Sequence, residues 1–415
     1  MLIKAKNSIG TGYQYTLGTA NDLSVGRNIL VWSLDTAAII GSGNGQSVVV
    51  SGTVLGEATG IQLTGNNVKI NVHENASVMG GVALSLANSN LAIVNRGVIA
   101  GEDTAIRTAP ESALPNSIAR VTNYGLIEGV MSGLGFAYGA GAVVRNFGVI
   151  ESEGTVFQGG VGKDVLINRG IIKGNNIALS FGHDIYDGRG GKVVGASIFG
   201  GPGNDTFRPG VSGEIMNGDQ GLDTLDFRAG PGIKVDLTNT FANTGFAKGD
   251  TYIDMNRVLG SDRGADVLRA NGLGNELRGN GGNDRLIGAL GNDSLIGGAG
   301  RDTLTGGDGD ESFIFLKPSE GGDKITDFSS VGGNFDVIVI DASGFGGGLS
   351  AGVLPTGRLK IGGNNQAGDA NDRFIFRTTD ATLWFDRDGQ GGAGPVLIAD
   401  LQAGASLSAG AFLLI

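Results

Sequence analysis

Between Ser261 and Ile314 the chain repeats itself every nine residues, six times without a gap: SDRGADVLR, ANGLGNELR, GNGGNDRLI, GALGNDSLI, GGAGRDTLT and GGDGDESFI. The shared frame is G-G-x-G-x-D-x-U-x, with U a large apolar residue. Six glycine-rich residues make a turn that exposes backbone carbonyls, and the aspartate adds a carboxylate. The last three residues form a short strand whose central side chain points inward: Leu268, Leu277, Leu286, Leu295, Leu304 or Phe313. Two nonads make one coil, so alternate units stack on the same side, one strand spacing apart. Asp266 then lies beside Asp284, Asp284 beside Asp302, Asn275 beside Asp293, and Asp293 beside Glu311. Carboxylates this close repel unless a cation lies between them. A flexible glycine-rich linker has no reason to hold an acid and a leucine at fixed phase over six units.

The nonapeptide resembles the repeat of RTX (repeats-in-toxin, hemolysin-type) proteins, and the resemblance implies calcium as the cation, with several ions per chain. Calcium takes roughly six to eight oxygens, a demand that turn carbonyls and carboxylates meet together. Candidate ligands in the run are Asp266, Gly279, Asp284, Gly288, Asp293, Gly297, Asp302, Gly306 and Glu311. Two positions are weaker: Asn275 brings no charge, and Glu311 is longer than the aspartate of the frame.

A looser repeat precedes the nonads. Asn95-Arg96-Gly97-Val98-Ile99 recurs at Asn123-Tyr124-Gly125-Leu126-Ile127, Asn146-Phe147-Gly148-Val149-Ile150 and Asn168-Arg169-Gly170-Ile171-Ile172, in steps of 28, 23 and 22 residues. Two further short β-like runs lie between copies. Three strands per step is the pattern of a three-sided parallel β-helix, similar to the right-handed β-helices of autotransporter passengers and polysaccharide lyases. The recurring asparagines are expected to form a buried amide ladder.

The two repeats merge. Nonad-like turns at Gly159–Ile167, Gly182–Tyr186, Gly200–Arg208 and Gly218–Asp226 carry acids spaced 20, 21 and 18 residues apart. We expect one corner of the β-helix to carry Asp164, Asp184, Asp205 and Asp223 in a column, with Gly200 and Gly203 as carbonyl ligands. The expected fold is all-β: a right-handed parallel β-helix continuing into a calcium-binding β-roll, with a C-terminal β-sandwich-like cap. The divisions are 1–48 for first strands, 49–226 for the β-helix with calcium-type turns from about 159, 227–260 for an inserted hairpin, 261–320 for the roll, and 321–415 for the cap with a secretion signal.

The tail Gly322–Phe328 and Asn334–Asp341 resembles the region that closes the roll in RTX proteases. By that resemblance Asp323, Asp327 and Asp336 add ligands to the last turns. The terminal Ala411-Phe412-Leu413-Leu414-Ile415 resembles a type I secretion signal, though Ala411 stands where an acid often precedes the apolar residues. Met1–Tyr15 has no apolar run of the kind a cleaved leader needs. The type I secretion machinery is therefore an expected partner, and the location extracellular.

Composition narrows the rest. Glycine is 78 of 415 residues, yet 40% of the chain is hydrophobic, enough for a continuous core. A net charge of −11 argues against nucleic acid and anionic membranes. No segment is long and apolar enough to span a bilayer. Cysteine is absent, which leaves metal ions as the obvious staple for an extracellular fold. There are two histidines, no HExxH, no G-x-S-x-G at a strand-to-helix turn, and no Tyr-Gly-x-Asp-Pro-His-Glu motif of β-helix epimerases. The reading favoured is a secreted calcium-dependent structural protein of the cell surface or matrix. It would assemble with itself into filaments, sheets or an S-layer-like coat, or act as an adhesin. Cell-surface polysaccharide is a further candidate partner, and a polysaccharide-acting enzyme of epimerase or lyase type is the alternative.

Overall fold

The computed structural model describes residues 1–108, 118–136, 141–211, 213–331 and 334–415. The protein is nearly all β, 52% strand and 5% helix. Two compact units result: Met1–Asp223 with Asp250–Asp254, and Thr224–Gly249 with Met255–Ile415. No helix among the described residues is long and apolar enough to cross a membrane.

The first unit is a parallel β-helix. Each coil offers three short strands, two of alternating burial, as in Ala142–Asn146 and Val149–Ser152, and a third, Thr155–Gln158, that buries the adjacent Val156 and Phe157. Alternation sends every second side chain inward, and the register stacks those side chains into columns. Ile70, Ile93, Val121, Val144, Leu166, Tyr186 and Phe207 follow one another in register on the first face and are essentially inaccessible. Val54, Val78, Ile99, Ile127, Ile150 and Ile172 do so on the second, and Ile61, Leu84, Ile106, Leu134, Phe157, Ile177 and Ile198 on the third. β-branched residues dominate because they suit a pleated surface buried on its inner side.

The asparagine ladder forms as the sequence indicates. The Asn95 amide donates to Asn123 Oδ1 at 2.8 Å, Asn123 to Asn146 at 2.9 Å, and Asn146 to Asn168 at 2.9 Å, all fully buried. Each amide also caps a carbonyl of the next coil, Val149 in the case of Asn123, at 2.9 Å. Outside the ladder the exposed rings of Tyr124 and Phe147 stack at 5.1 Å, with Arg96 over the Tyr124 face. An Asn123→Leu substitution removes the acceptor of one Asn95 amide N–H and the Asn123 donor to Asn146 Oδ1 and the Val149 carbonyl. We expect a loss of roughly 3 kcal/mol, read as a lower midpoint in urea unfolding.

The second unit is a two-sided roll. Leu225, Val258, Leu277, Leu295, Phe313 and Ile338 stack on one face, and Val235, Leu268, Leu286, Leu304 and Ile325 on the other. Pairing in steps of eighteen residues, as Leu268 with Leu286 and Leu286 with Leu304, gives two nonads per coil. All of these side chains are fully buried. Leu286→Ala should cost about 2–5 kcal/mol, the usual range for truncating a packed leucine, measurable in calcium-saturated thermal melts.

The segment expected to be an inserted hairpin is built otherwise. Lys234–Asp236 joins the roll as a parallel strand beside Val267–Arg269, and Thr251–Ile253 pairs in parallel with Ile215–Asn217 of the first unit. A single antiparallel bridge, Lys234 to Thr244, is all that is hairpin-like. Two short 3-10 turns, Thr240–Ala242 and Gly245–Ala247, take up the slack. At the end of the chain Thr382–Phe385 runs antiparallel to both Phe374–Arg377 and Val396–Leu401, and the rings of Phe345, Phe374, Phe385 and Phe412 cluster together.

Candidate metal columns

Every glycine-rich turn but the one at Asn275 ends on an acid just before the following strand, so coil stacking brings those acids into columns. In the first unit the N–H of Asp164 donates to Asp184 Oδ1 at 2.7 Å, that of Asp184 to Asp205 at 2.7 Å, and that of Asp205 to Asp223 at 2.8 Å. The second unit repeats the device twice. On one side Asp266 donates to Asp284 at 2.8 Å, Asp284 to Asp302 at 2.7 Å and Asp302 to Asp323 at 2.9 Å. On the other Asn275 donates to Asp293 at 2.5 Å and Glu311 to Asp336 at 3.0 Å.

One carboxylate oxygen is spent on this bond. The other is buried and has no hydrogen-bond partner in Asp184, Asp205, Asp284, Asp293, Asp302 and Asp323, and Glu311 has neither oxygen partnered. Buried polar atoms are seldom left so, and one orphan per coil is a pattern rather than an accident. The glycines explain the space. A Cβ on Gly279 would strike Asp284 Oδ2 and come within 2.6 Å of the Gly297 carbonyl. Gly288 and Gly297 stand in the same relation to Asp293 and Asp302, and Gly200 to Asp205 and the Gly218 carbonyl at 2.8 Å. Gly306 stands against the side chain of Glu311. Gly203, at φ +157°, passes so close to the Gly182 carbonyl that no side chain fits. A carboxylate oxygen and a carbonyl from the adjacent coil thus converge where any residue but glycine would fill the gap.

Electrostatics agree. Burial raises the carboxyls of Asp184, Asp284 and Asp293 to about 7, Asp164 and Asp205 to about 6, and Asp323 to about 8, from near 3.8. Burial, then the neighbouring acids Asp205 and Asp219, lift Asp223 to about 7. Burial with Asp336 alongside takes Glu311 to about 8. These are carboxylates held ready in a medium that penalises bare charge.

The structure separates the sequence-predicted acids. Asp164 accepts from Ala142 and Gly160, and Asp266 from Ile233 and Ser261, so both have their oxygens engaged by protein donors. Asp327 stands outside the columns. Its two oxygens accept the Gly306 and Gly307 N–H groups at 2.8 and 2.9 Å, which makes it a brace for the last nonad turn. Asn275 turns its amide to the Met255 carbonyl at 2.8 Å. The sequence reading missed one acidic step. Glu214 N–H donates to Asp250 Oδ1 at 2.8 Å in the same manner, but here Tyr186 and Tyr252 hydroxyls cap Glu214 Oε1 and Asp250 Oδ2 at 2.8 and 2.9 Å. The dipeptides Gly213-Glu214 and Gly249-Asp250 are the faint signal, blurred by a separation of 36 residues.

Among the described residues no group of three or more acidic, histidine or cysteine side chains is arranged to hold a metal. Any ion here is held by carboxylates supported by carbonyls, the donor set of a hard cation. The family model of the RTX calcium-binding nonapeptide repeat (4 copies) matches residues 261–295 and 278–310. The chain carries RTX calcium-binding repeats. No curated protein matches it. RTX nonapeptide repeats bind calcium, and the orphaned oxygens and glycine cradles described above fit that ion. Calcium, when bound, neutralises facing carboxylates and gives the turn carbonyls a common partner. The chain's own part is to set one acid per coil, fix it through the N–H of the coil before, and exclude Cβ atoms from the cradle. Asp302→Asn keeps the shape and removes the charge, so calcium affinity should fall roughly tenfold at that step. Asp327→Asn should leave affinity within about twofold. Titration calorimetry on the two variants distinguishes them.

Proposed function

We propose that this is a secreted structural protein whose fold is completed by calcium outside the cell, and that it assembles with itself at the surface or in the matrix as a filament, sheet or coat, or serves as an adhesin. The observation that carries the reading is the row of buried, unpartnered carboxylate oxygens at Asp184, Asp205, Asp284, Asp293, Asp302 and Asp323. In calcium-poor cytosol those acids repel, and the glycine-rich backbone is costly to order, so the chain stays unfolded and fit for export through a type I channel. Arrival in millimolar calcium favours only the folded turns. Both units are taken up by solenoid coils and a β cap, an architecture suited to extended contact surfaces. Electron microscopy and sedimentation of the purified protein with and without calcium test the assembly. Ordered polymers in calcium alone are expected, and dispersed monomers under both conditions would sink it.

A further inference from the structure

A long groove runs along the outside of the β-helix. Its floor is one outward-facing register column: Trp32, Leu55, Met79 and Ala100, then Glu128 and Glu151, closed by Lys173 and Val194. Two hollows of about 420 and 440 Å³ lie on it and share Glu128 and Val130, so the depression is continuous. Seven coil steps at ~4.8 Å give a length of roughly 34 Å. That is far more than a small molecule needs and suits a linear polymer.

The groove has two chemical halves. Toward Trp32 the floor is apolar, with an indole, a leucine and a thioether in a row. Toward Glu151 it is acidic, with Glu153 on the wall there, while Glu57 and Glu102 put carboxylates on the wall beside the apolar floor. Against five glutamates stands one lysine. Lys173 pairs with Glu151 at 3.4 Å, and among the described residues the other four glutamates have no ion pair. Glu128 and Glu151 lie directly opposite on neighbouring strands, an arrangement that costs stability unless a cation is nearby. The floor strands have neighbours on both sides, so an extended peptide cannot add to them as a further strand and recognition falls to side chains.

We propose that this groove binds an extended polymer of amino sugars, a cationic glycan. Its ammonium groups match the unpaired glutamates, and the apolar faces of its rings match the indole and aliphatic floor. The site is independent of the calcium columns and of the self-assembly proposed above.

The chain has two tryptophans, Trp32 on the groove floor and Trp384 in the second unit, so the emission of Trp32 reports the groove. Calcium-saturated protein is titrated with an oligomer of β-1,4-linked glucosamine, with polygalacturonate and poly-lysine in parallel. The glucosamine oligomer should give a saturable change in emission that vanishes in Trp32→Phe, while calorimetry on that variant still detects binding. Glu102→Gln/Glu128→Gln, at two exposed positions, should weaken binding roughly tenfold, and raising the salt should weaken it further. Absence of binding, equal affinity in the double variant, or preference for polygalacturonate or poly-lysine would each overturn the assignment.

Discussion

Removing calcium with EDTA at neutral pH should abolish most of the nonapeptide roll and leave part of the β-helix. Each bound ion stabilises by RT ln(1 + [Ca]/Kd), about 1 kcal/mol at a few times Kd and about 2.7 kcal/mol at a hundredfold excess. Four roll acids, Asp284, Asp293, Asp302 and Asp323, keep an unpartnered oxygen, and Glu311 keeps two. The sum over such sites is comparable with the whole stability of an ordinary domain, about 5–15 kcal/mol. The roll has little else to fall back on, since its cross-section is two short strands per coil, each giving one inward side chain to a thin core. The first unit differs. It has three inward columns per coil and the Asn95–Asn168 ladder, and its candidate metal column is confined to Asp164–Asp223. Far-UV circular dichroism should therefore fall by a large fraction on chelation and return with calcium, while protease digestion should spare a fragment from the first unit. A spectrum unchanged by EDTA would contradict the assignment of these columns to calcium.

How much of this was legible beforehand depends on the kind of signal. The nonads were readable because period, glycine and acid coincide, and the eighteen-residue register follows from nine residues per half coil. The ladder was readable because Asn95, Asn123, Asn146 and Asn168 sit in one local motif. What the sequence hides is which oxygen is spent on which donor. Asp164 and Asp327 look like Asp284 in a string of letters. The difference is that Ala142, Gly160, Gly306 and Gly307 offer N–H groups to the first two, and none does so for Asp284 Oδ2. The Glu214–Asp250 step was hidden by the segment between them, and Tyr186 and Tyr252 meet it only through the fold. The groove was hidden too, because Trp32 and Glu151 share a column only through five successive strand pairings.

Without calcium, the protein should become less stable as pH rises from about 4 to 8, against the habit of most acidic proteins. The folded, metal-free state holds protons on Asp205 up to about pH 6, on Asp184, Asp284 and Asp293 up to about 7, and on Asp323 up to about 8. The unfolded chain releases the same protons near pH 4. Between those limits the native state binds more protons than the unfolded one, so stability falls with rising pH. The contribution is fully present below pH 4 and is lost as pH passes through 6 to 8. Calcium reverses the slope. It binds the ionised carboxylates, so protons compete with it, and calcium-loaded protein should gain stability over the same range. Thermal melts at pH 5, 6, 7 and 8 should give midpoints that descend in EDTA and ascend in millimolar calcium. The separation between the two series should be widest at pH 8. Parallel curves would mean that the buried acids are satisfied by something other than a proton or a metal ion.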